Sequence, residues 1–415
     1  NPRKKFTSTH TAVGHLGLQA VEFFLLSAIH TLSSSVIMSN TVVFRQNLLF
    51  PRSGAEGKLT RNILAVNEDL GQIECFGPGG TQPTSNIGNP VMDKPSRTAV
   101  PEAGAPIEVP VMYAWPPRPL AALRWILAGW LLPWWGCFAL LAVSCWYFFT
   151  PDLASMKVLS WEWMSLIWLR NAVLLTLFAA PLHWWLYTRQ GQQDETKLNK
   201  TWQPRSSSRF LFNSQLKDNV FWSLVSGVTI WTFFESITFW LYANGYVQVV
   251  QWKGSELYIL ALGIVTVFWS PLHFYFIHRL LHWRPLYRLA HALHHKNNNP
   301  QPWSGISMHP IEHVIYFSAF VLFWFIPVHP VLIILLGFIQ GISPAISHSG
   351  FQEVRLGKHL RIASGDPFHQ IHHKYYEVNY GNKPLPFDKL FGSWHDGTIE
   401  AQAAFRARRS QLHNG

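Results

Sequence analysis

HRLLHWRPLYRLAHALHH, residues 278–295, holds five histidines: His278, His282, His291, His294 and His295. It follows directly on GSELYILALGIVTVFWSPLHFYFI, residues 254–277. About 20 apolar residues cross the hydrocarbon core of a bilayer as a helix. The imidazoles therefore collect where the chain leaves a membrane. On a helix, i,i+4 and i,i+3,i+4 spacings put side chains on one face, and HRLLH and HALHH have those spacings.

Working outward, the same character recurs. The candidate spans before this one are 120–149, 164–187 and 220–242, and the fourth is 256–278. Pro133 predicts a kink in the first of them. Arg170 weakens the second, where a place near one end lets it snorkel to the interface. Glu235 lies within the third, so its face is expected to meet protein or the interface. Two shorter apolar runs, 314–326 and 331–342, flank PVHP and predict either a re-entrant helical hairpin or two spans extended by their flanks, and both return the chain to its starting side. Aromatics at 15% and charged residues at 13% fit a membrane protein better than a soluble domain, which is about 25% charged. The net charge of +11 is scattered over loops and tails, not gathered in the patch or stripe of a nucleic-acid binder. Cys75, Cys137 and Cys145 form no disulfide framework.

Before Leu120 the chain changes. Residues 51–118 are rich in Pro, Gly, Ser and Asn, so 1–118 is read as a poorly ordered leader. It includes an apolar helix at 11–30, a signal anchor weakened by His15, Glu22 and His30, with Met38 as an alternative start. The expected organisation is then transmembrane helices at 119–255, a histidine-box catalytic region at 256–398 including the hairpin 314–342, and a basic tail at 399–415. The fold class expected is an all-α integral membrane protein. About four transmembrane helices and the short hairpin form a bundle beneath a cytosolic, histidine-rich helical cap.

Fifteen of the 20 histidines fall between His273 and His395. HPIEH adds His309 and His313, and HQIHH adds His369, His372 and His373. A pair at i,i+4 can bind one metal or contribute to adjacent ones. Imidazole suits iron, zinc and copper, and so many nitrogens exceed what one four-coordinate ion needs. Two metals are the economical reading. A lone histidine near a membrane end is more often an interfacial or hydrogen-bonded side chain, which accounts for His10, His15, His30, His183, His329, His359 and His413.

HRLLH, HALHH and HQIHH in this order resemble the histidine boxes of the membrane fatty acid hydroxylase and sterol desaturase superfamily. NPQPWSGISMHPIEHVIYFS, the HSG at 348–350 and GDPFHQIHHKYYEVNYGNKPLPFDKLFGSWHDG are similar to the corresponding segments of sterol C-5 desaturase-like members. His273 departs from the pattern, since many relatives carry an acidic residue there. The resemblance implies a diiron centre, with His278, His282, His291, His294, His295, His309, His348, His369, His372 and His373 as ligands and zinc able to substitute for iron. It implies supporting roles for His273, Glu312, His313, Asp366, Asn379 and His395, with Glu312 the partner of His309. Glu377, Asp388 and Asp396 are candidates to orient the imidazoles, and Gly381 to supply a turn. The implied reaction uses O2 and an external electron donor, cytochrome b5 or ferredoxin with its reductase. Zinc has no redox chemistry, so iron suits such a reaction.

Its substrate would be a lipid, a sterol first of all, and its product a double bond. A hydroxylase of fatty acyl, sphingoid, alkylglycerol or carotenoid lipids is the alternative within the class. A metal transporter would distribute ionisable groups along its spans, and a non-catalytic scaffold would not need complete boxes. Arg279, Arg284, Arg288 and Lys296 point to a cytosolic site. The resemblance implies the endoplasmic reticulum membrane, with the bacterial inner membrane as the alternative. The expected partners are the lipid substrate, the redox donor and membrane lipids, and not nucleic acid.

Overall fold

The computed structural model describes residues 107, 111–114, 116–357, 359–382 and 384–414. The expectations for the 11–30 helix and for Met38, with most of the leader, lie outside these residues. Helix α1 (Pro119–Trp130) and helix α2 (Trp134–Phe148) meet at a 55° bend. The break falls at Pro133, where a ring replaces the amide hydrogen a continuous helix needs. Helices α3 (Trp161–Thr188), α4 (Gln215–Ala243) and α5 (Glu256–Leu281) are each long and apolar enough to cross a bilayer. A short helix α6 (284–294) follows, then α7 (Pro310–Trp324) and α8 (Pro330–Ser347). Among the described residues four helices qualify as spans, or five when the bent pair counts as one. The chain is an integral membrane protein.

Helix α8 is the axis of the bundle. Its residues from Pro330 to Gly341 are all buried, and they pack against α2, α4 and α5. Gly337 and Gly341 make that packing close. A Cβ on either would lie 2.5 Å or less from the Trp231 indole of α4, so only glycine admits that ring. The outward faces of α3 and α5 expose Leu166, Leu169, Leu177, Leu257, Leu260 and Ile264, which suits contact with lipid chains.

Direction along the bundle alternates, and this positions the site. Helix α3 ends where the Tyr187 hydroxyl reaches the carbonyls of Pro300 and Ser349, both at 2.9 Å. Helix α4 begins at the same end, where Gln215 and Asn219 donate to Asn297 Oδ1 at 2.8 and 3.0 Å. Helix α5 ends there at His278 and His282, α7 begins there at Glu312, and α8 ends there just before His348. Between His348 and the last box lies one element outside the all-α expectation, an antiparallel hairpin of β1 (Glu353–Leu356) and β2 (Leu360–Ala363). Helices α9 (Pro367–Tyr375), α10 (Phe387–Leu390) and α11 (Ile399–Asn414) complete this end. The basic tail is therefore helical.

Arg170 corrects the sequence reading. It does not snorkel. Its guanidinium pairs with the Glu235 carboxylate, and both side chains are buried. Asn171 accepts from Arg170 Nη2 at 2.9 Å and donates to Glu235 Oε2 at 2.9 Å, and Arg170 Nη1 donates to Thr150 Oγ1 at 3.0 Å. A single charge in hydrocarbon is costly, and pairing across α3 and α4 offsets that cost for both. Arg170→Met alone leaves Glu235 buried without its counter-charge and is expected to cost about 3–5 kcal/mol of stability. Adding Glu235→Leu is expected to recover most of that loss, as read from thermal unfolding of the detergent-solubilised protein.

Candidate metal centre

Nine histidines converge on two points. His278, His282, His291, His295 and His372 form one cluster, and His294, His348, His369 and His373 the other. Within each cluster the candidate ligand nitrogens all lie within 4.8 Å of one another. Each triplet is divided. In HALHH the i,i+4 pair His291 and His295 joins the first cluster and His294 the second. In HQIHH the i,i+4 pair His369 and His373 joins the second cluster and His372 the first. The rings of His295 and His373 are 4.9 Å apart, so the two clusters adjoin.

Hydrogen bonds on the far side of the rings decide which nitrogen faces inward. The Nδ1–H groups of His278, His372, His348 and His294 donate to the carbonyls of Tyr380 (2.6 Å), Val378 (2.6 Å), Pro344 (2.9 Å) and Ser307 (3.3 Å). His291 Nδ1–H donates to Glu312 Oε1 at 2.7 Å. A carbonyl can only accept, so in a neutral ring this leaves a lone pair on Nε2. Yet His278 Nε2 and His291 Nε2 face each other at 3.1 Å. Neighbouring Nε2 atoms of the first cluster are 3.1–3.2 Å apart throughout, as are those measured in the second. Lone pairs so close repel unless a cation lies between them. Ligands at right angles on a metal about 2.1 Å away would be about 3.0 Å apart. The donor set thus fits a metal at each point, and five nitrogens in one cluster exceed a tetrahedral site.

Burial acts in the same direction. It pushes His294 down to about 3 and His348 down to about 4, and holds His369, His372 and His373 well below the usual imidazole range. Mutual repulsion among the rings adds to the effect for His369, His372 and His373. The groups stay neutral, which is the metal-binding form. His282 is the half-buried member, flanked by the rings of Tyr287 and Tyr380. The Nδ1 atoms of His295, His369 and His373 are buried without a hydrogen-bond partner among the described residues.

The other expected site residues are placed as follows. His309 joins neither cluster; its Nδ1 accepts from the Ile311 amide at 3.3 Å and caps α7. Glu312 serves His291 instead of His309. His313 is bound at both nitrogens, by Ser226 Oγ (2.9 Å) and the Ile306 carbonyl (3.0 Å). His273 meets Ser318 Oγ at 2.9 Å. His395 stacks on Tyr375. Asp366 caps α9 through Phe368 N (3.0 Å), and Asp396 binds Thr398. Glu377 is exposed.

Asn379 and Asp388 act through the backbone. Asn379 joins the Phe368 and His395 carbonyls and the His395 amide at 2.8–3.1 Å. Asp388 accepts from Tyr380 N, Gly381 N and Ser393 Oγ at 2.6–2.9 Å, which fixes the carbonyl that holds His278. Gly381 is needed for close approach to Asp388, since a Cβ there would be 2.9 Å from Asp388 Oδ2. Sequence reasoning missed Asn297, whose amide donates to the His294 carbonyl at 3.3 Å while α4 holds its oxygen. Its only sequence signal was a run of asparagines after the second box.

A cavity of about 700 Å³ opens on both clusters. His278, His291, His294, His348 and His369 form one wall, Trp125, Trp130, Trp134 and Trp135 contribute to the rest, and Ser270, Gln352 and Asn382 add polar groups to it.

Residues 263–393 match the family model described as Fatty acid hydroxylase. The resemblance to the fatty acid hydroxylase and sterol desaturase superfamily holds. Similar curated proteins include a Delta(7)-sterol 5(6)-desaturase of Candida glabrata, 26% identical over 38% of this chain and 43% of its own length. A lathosterol oxidase of Homo sapiens is 29% identical over 33% of this chain and 46% of its own. A putative Delta(7)-sterol-C5(6)-desaturase 2 of Arabidopsis thaliana is 32% identical over 34% and 50%. The chain spans about half the length of the curated relatives it matches. No solved structure matches it.

The clustering makes a stoichiometric prediction. His348→Ala is expected to lower bound metal, iron and zinc together, from about two per chain to about one, because four-ligand sites lose occupancy when a ligand goes. His309→Ala is expected to leave it unchanged. Metal analysis of the purified variants measures both.

Proposed function

We propose that this protein is an O2-dependent diiron oxidoreductase acting on a C–H bond of a membrane lipid, and that its reaction is desaturation of a sterol at the C-5 type of position. The observation that carries the reading is that both nitrogen clusters open on one largely apolar cavity. His278, His282, His291, His295 and His372 would hold one iron, and His294, His348, His369 and His373 the other. Iron held by these residues and reduced by an external donor would supply the activation of O2 that an unactivated C–H bond requires.

The remaining work belongs to the chain. Glu312 and the carbonyls of Tyr380, Val378, Pro344 and Ser307 orient the imidazoles and keep their inner nitrogens basic. The tryptophans of α1 and α2 and Phe274 exclude water and hold the chosen carbon of the substrate towards the two clusters. Arg284 and Arg288, exposed beside the clusters, support a cytosolic face in the endoplasmic reticulum membrane. Cytochrome b5, or a ferredoxin with its reductase, would deliver electrons there, with the half-buried His282 nearest to solvent.

The printed names of the similar proteins support sterol desaturation. The family description supports the second reading, hydroxylation of a lipid. Transport is disfavoured because the buried charges of α3 and α4 pair with each other and form no path. The deciding experiment is expression, with reductant partners, in a strain lacking its own sterol C-5 desaturase. A restored Δ5 sterol is the expected result. A lipid with an added oxygen would move the assignment to hydroxylase, and an unchanged lipid profile from metal-loaded, reducible protein would overturn both.

A further inference from the structure

The chain after α8 caps the end of the bundle that carries the two clusters. Among its described residues the exposed large apolar side chains are Leu356 and Leu360 in the hairpin, Leu390 and Phe391 at the end of α10, and Ile399. A single apolar side chain on a surface is ordinary. The two pairs are different, because each adjoins the last turns of a membrane span.

The hairpin has two unlike faces. Successive side chains of a strand point to opposite sides, and the register pairs Leu356 with Leu360 and Val354 with Ile362. These four share one face, while Glu353, Arg355 and Arg361 share the other. Val354 packs with Leu186, which lies two residues before the end of α3. Arg355, on the charged face, pairs with Glu195 in the chain that follows α3. Since α3 runs towards this end, Leu186 lies deeper in the bilayer than Glu195, and the apolar face of the hairpin is the one turned to the membrane. Trp184 is exposed beside Leu186, with the Arg189 guanidinium 5.6 Å from its ring. Exposed tryptophan and arginine at the end of a span mark the level of the headgroups.

Helix α10 adjoins α5 at the same level. Phe387 and Phe391 lie 5.0 and 5.8 Å from the ring of Tyr275, and Phe387 lies 5.5 Å from that of Phe276. Tyr275 and Phe276 belong to the last two turns of α5, where Phe276 and Leu280 are exposed on its outward side, and Trp283 follows, also exposed. Two segments far apart in sequence thus present leucine or phenylalanine beside the ends of two spans. Both border the cavity, which Ala363 and Ser364 line behind the hairpin and Asn382 and Pro384 line ahead of α10.

We propose that the hairpin, through Leu356 and Leu360, and α10, through Leu390 and Phe391, are seated in the lipid leaflet on the metal-centre side, at the boundary between headgroups and acyl chains. The occupant of both surfaces is the bilayer and not a protein partner, because each surface continues the lipid-facing side of a span. Depth is limited by His359 and Arg361, which are exposed close to the two leucines. Charged groups are costly in hydrocarbon, so the seat is interfacial. The cap is thereby fastened to the membrane on both flanks of the cavity.

The test uses the full chain in phospholipid nanodiscs, with p-benzoylphenylalanine placed singly at Leu360, Leu390, Leu177 or Glu195. Leu177 is on the outward face of α3, and Glu195 is exposed beyond its end. After illumination, mass spectrometry is expected to find phospholipid adducts at Leu360 and Leu390 in yields close to that at Leu177, and none at Glu195. An adduct missing at either Leu360 or Leu390 while Leu177 is labelled would overturn the two-sided seating. Wild-type protein supplies a measurement without substitution, oxidation by hydroxyl radicals generated in water. Leu356, Leu360, Leu390 and Phe391 are expected to lose nearly all of the oxidation that they show in the denatured protein. Oxidation of either pair at the denatured level would overturn the proposal.

Discussion

Imidazole nitrogens that face one another with their lone pairs inward are the constraint on which this end of the protein depends. His278 and His291 meet at 3.1 Å, and both have already given their Nδ1 hydrogen to oxygen. Such a contact is repulsive without a cation, so the surroundings must hold the rings in place. They do so from four directions. The Tyr380 carbonyl is set by Asp388, the Ser307 carbonyl and Asn297 hold the side chain and backbone of His294, the Pro344 carbonyl in the last turn of α8 holds His348, and Glu312 comes from the first turn of α7.

The helices exist in this arrangement to bring those supports to one end. Ends of α3, α4, α5, α7 and α8 alternate so that each contributes there, and the buried helix α8 sets the spacing among them. Its glycines accept Trp231 at a distance no side chain would permit. The ion pair of Arg170 with Glu235 ties α3 to α4 away from the metal centre. A buried pair of this kind adds little net stability compared with apolar residues, but it penalises any packing that separates the two charges.

Function depends on a second feature of the same construction. The clusters form one wall of a cavity that four tryptophans of α1 and α2 also line, and Glu312 holds His291 from behind that wall. The division of labour along α7 follows from its first turns. His309 caps the helix, Glu312 holds His291, and His313 ties the helix to α4 and to the Ile306 carbonyl.

The sequence by itself determined the membrane helices up to α5, the break at Pro133 and the grouping of histidines at one end. These follow from apolar run length, from the missing proline amide and from spacing along a helix, all of which are local. It also made two metals the economical count. It read the apolar run of α8 as short for a span, which the full helix Pro330–Ser347 is not. The partition of each HxxHH triplet between two clusters was not legible, because i,i+3 and i,i+4 neighbours share a helical face whether they serve one point or two. Only the packing of α5, α6 and α9 against one another decided it. The same is true of Arg170, whose place near a helix end suggested snorkelling until α4 brought Glu235 beside it. His309 and Glu312 were likewise misassigned to each other, since three residues of sequence separation made them neighbours while the fold had put His291 closer. Long-range contacts of this kind are set by the tertiary structure, for which residue order carries no local signal.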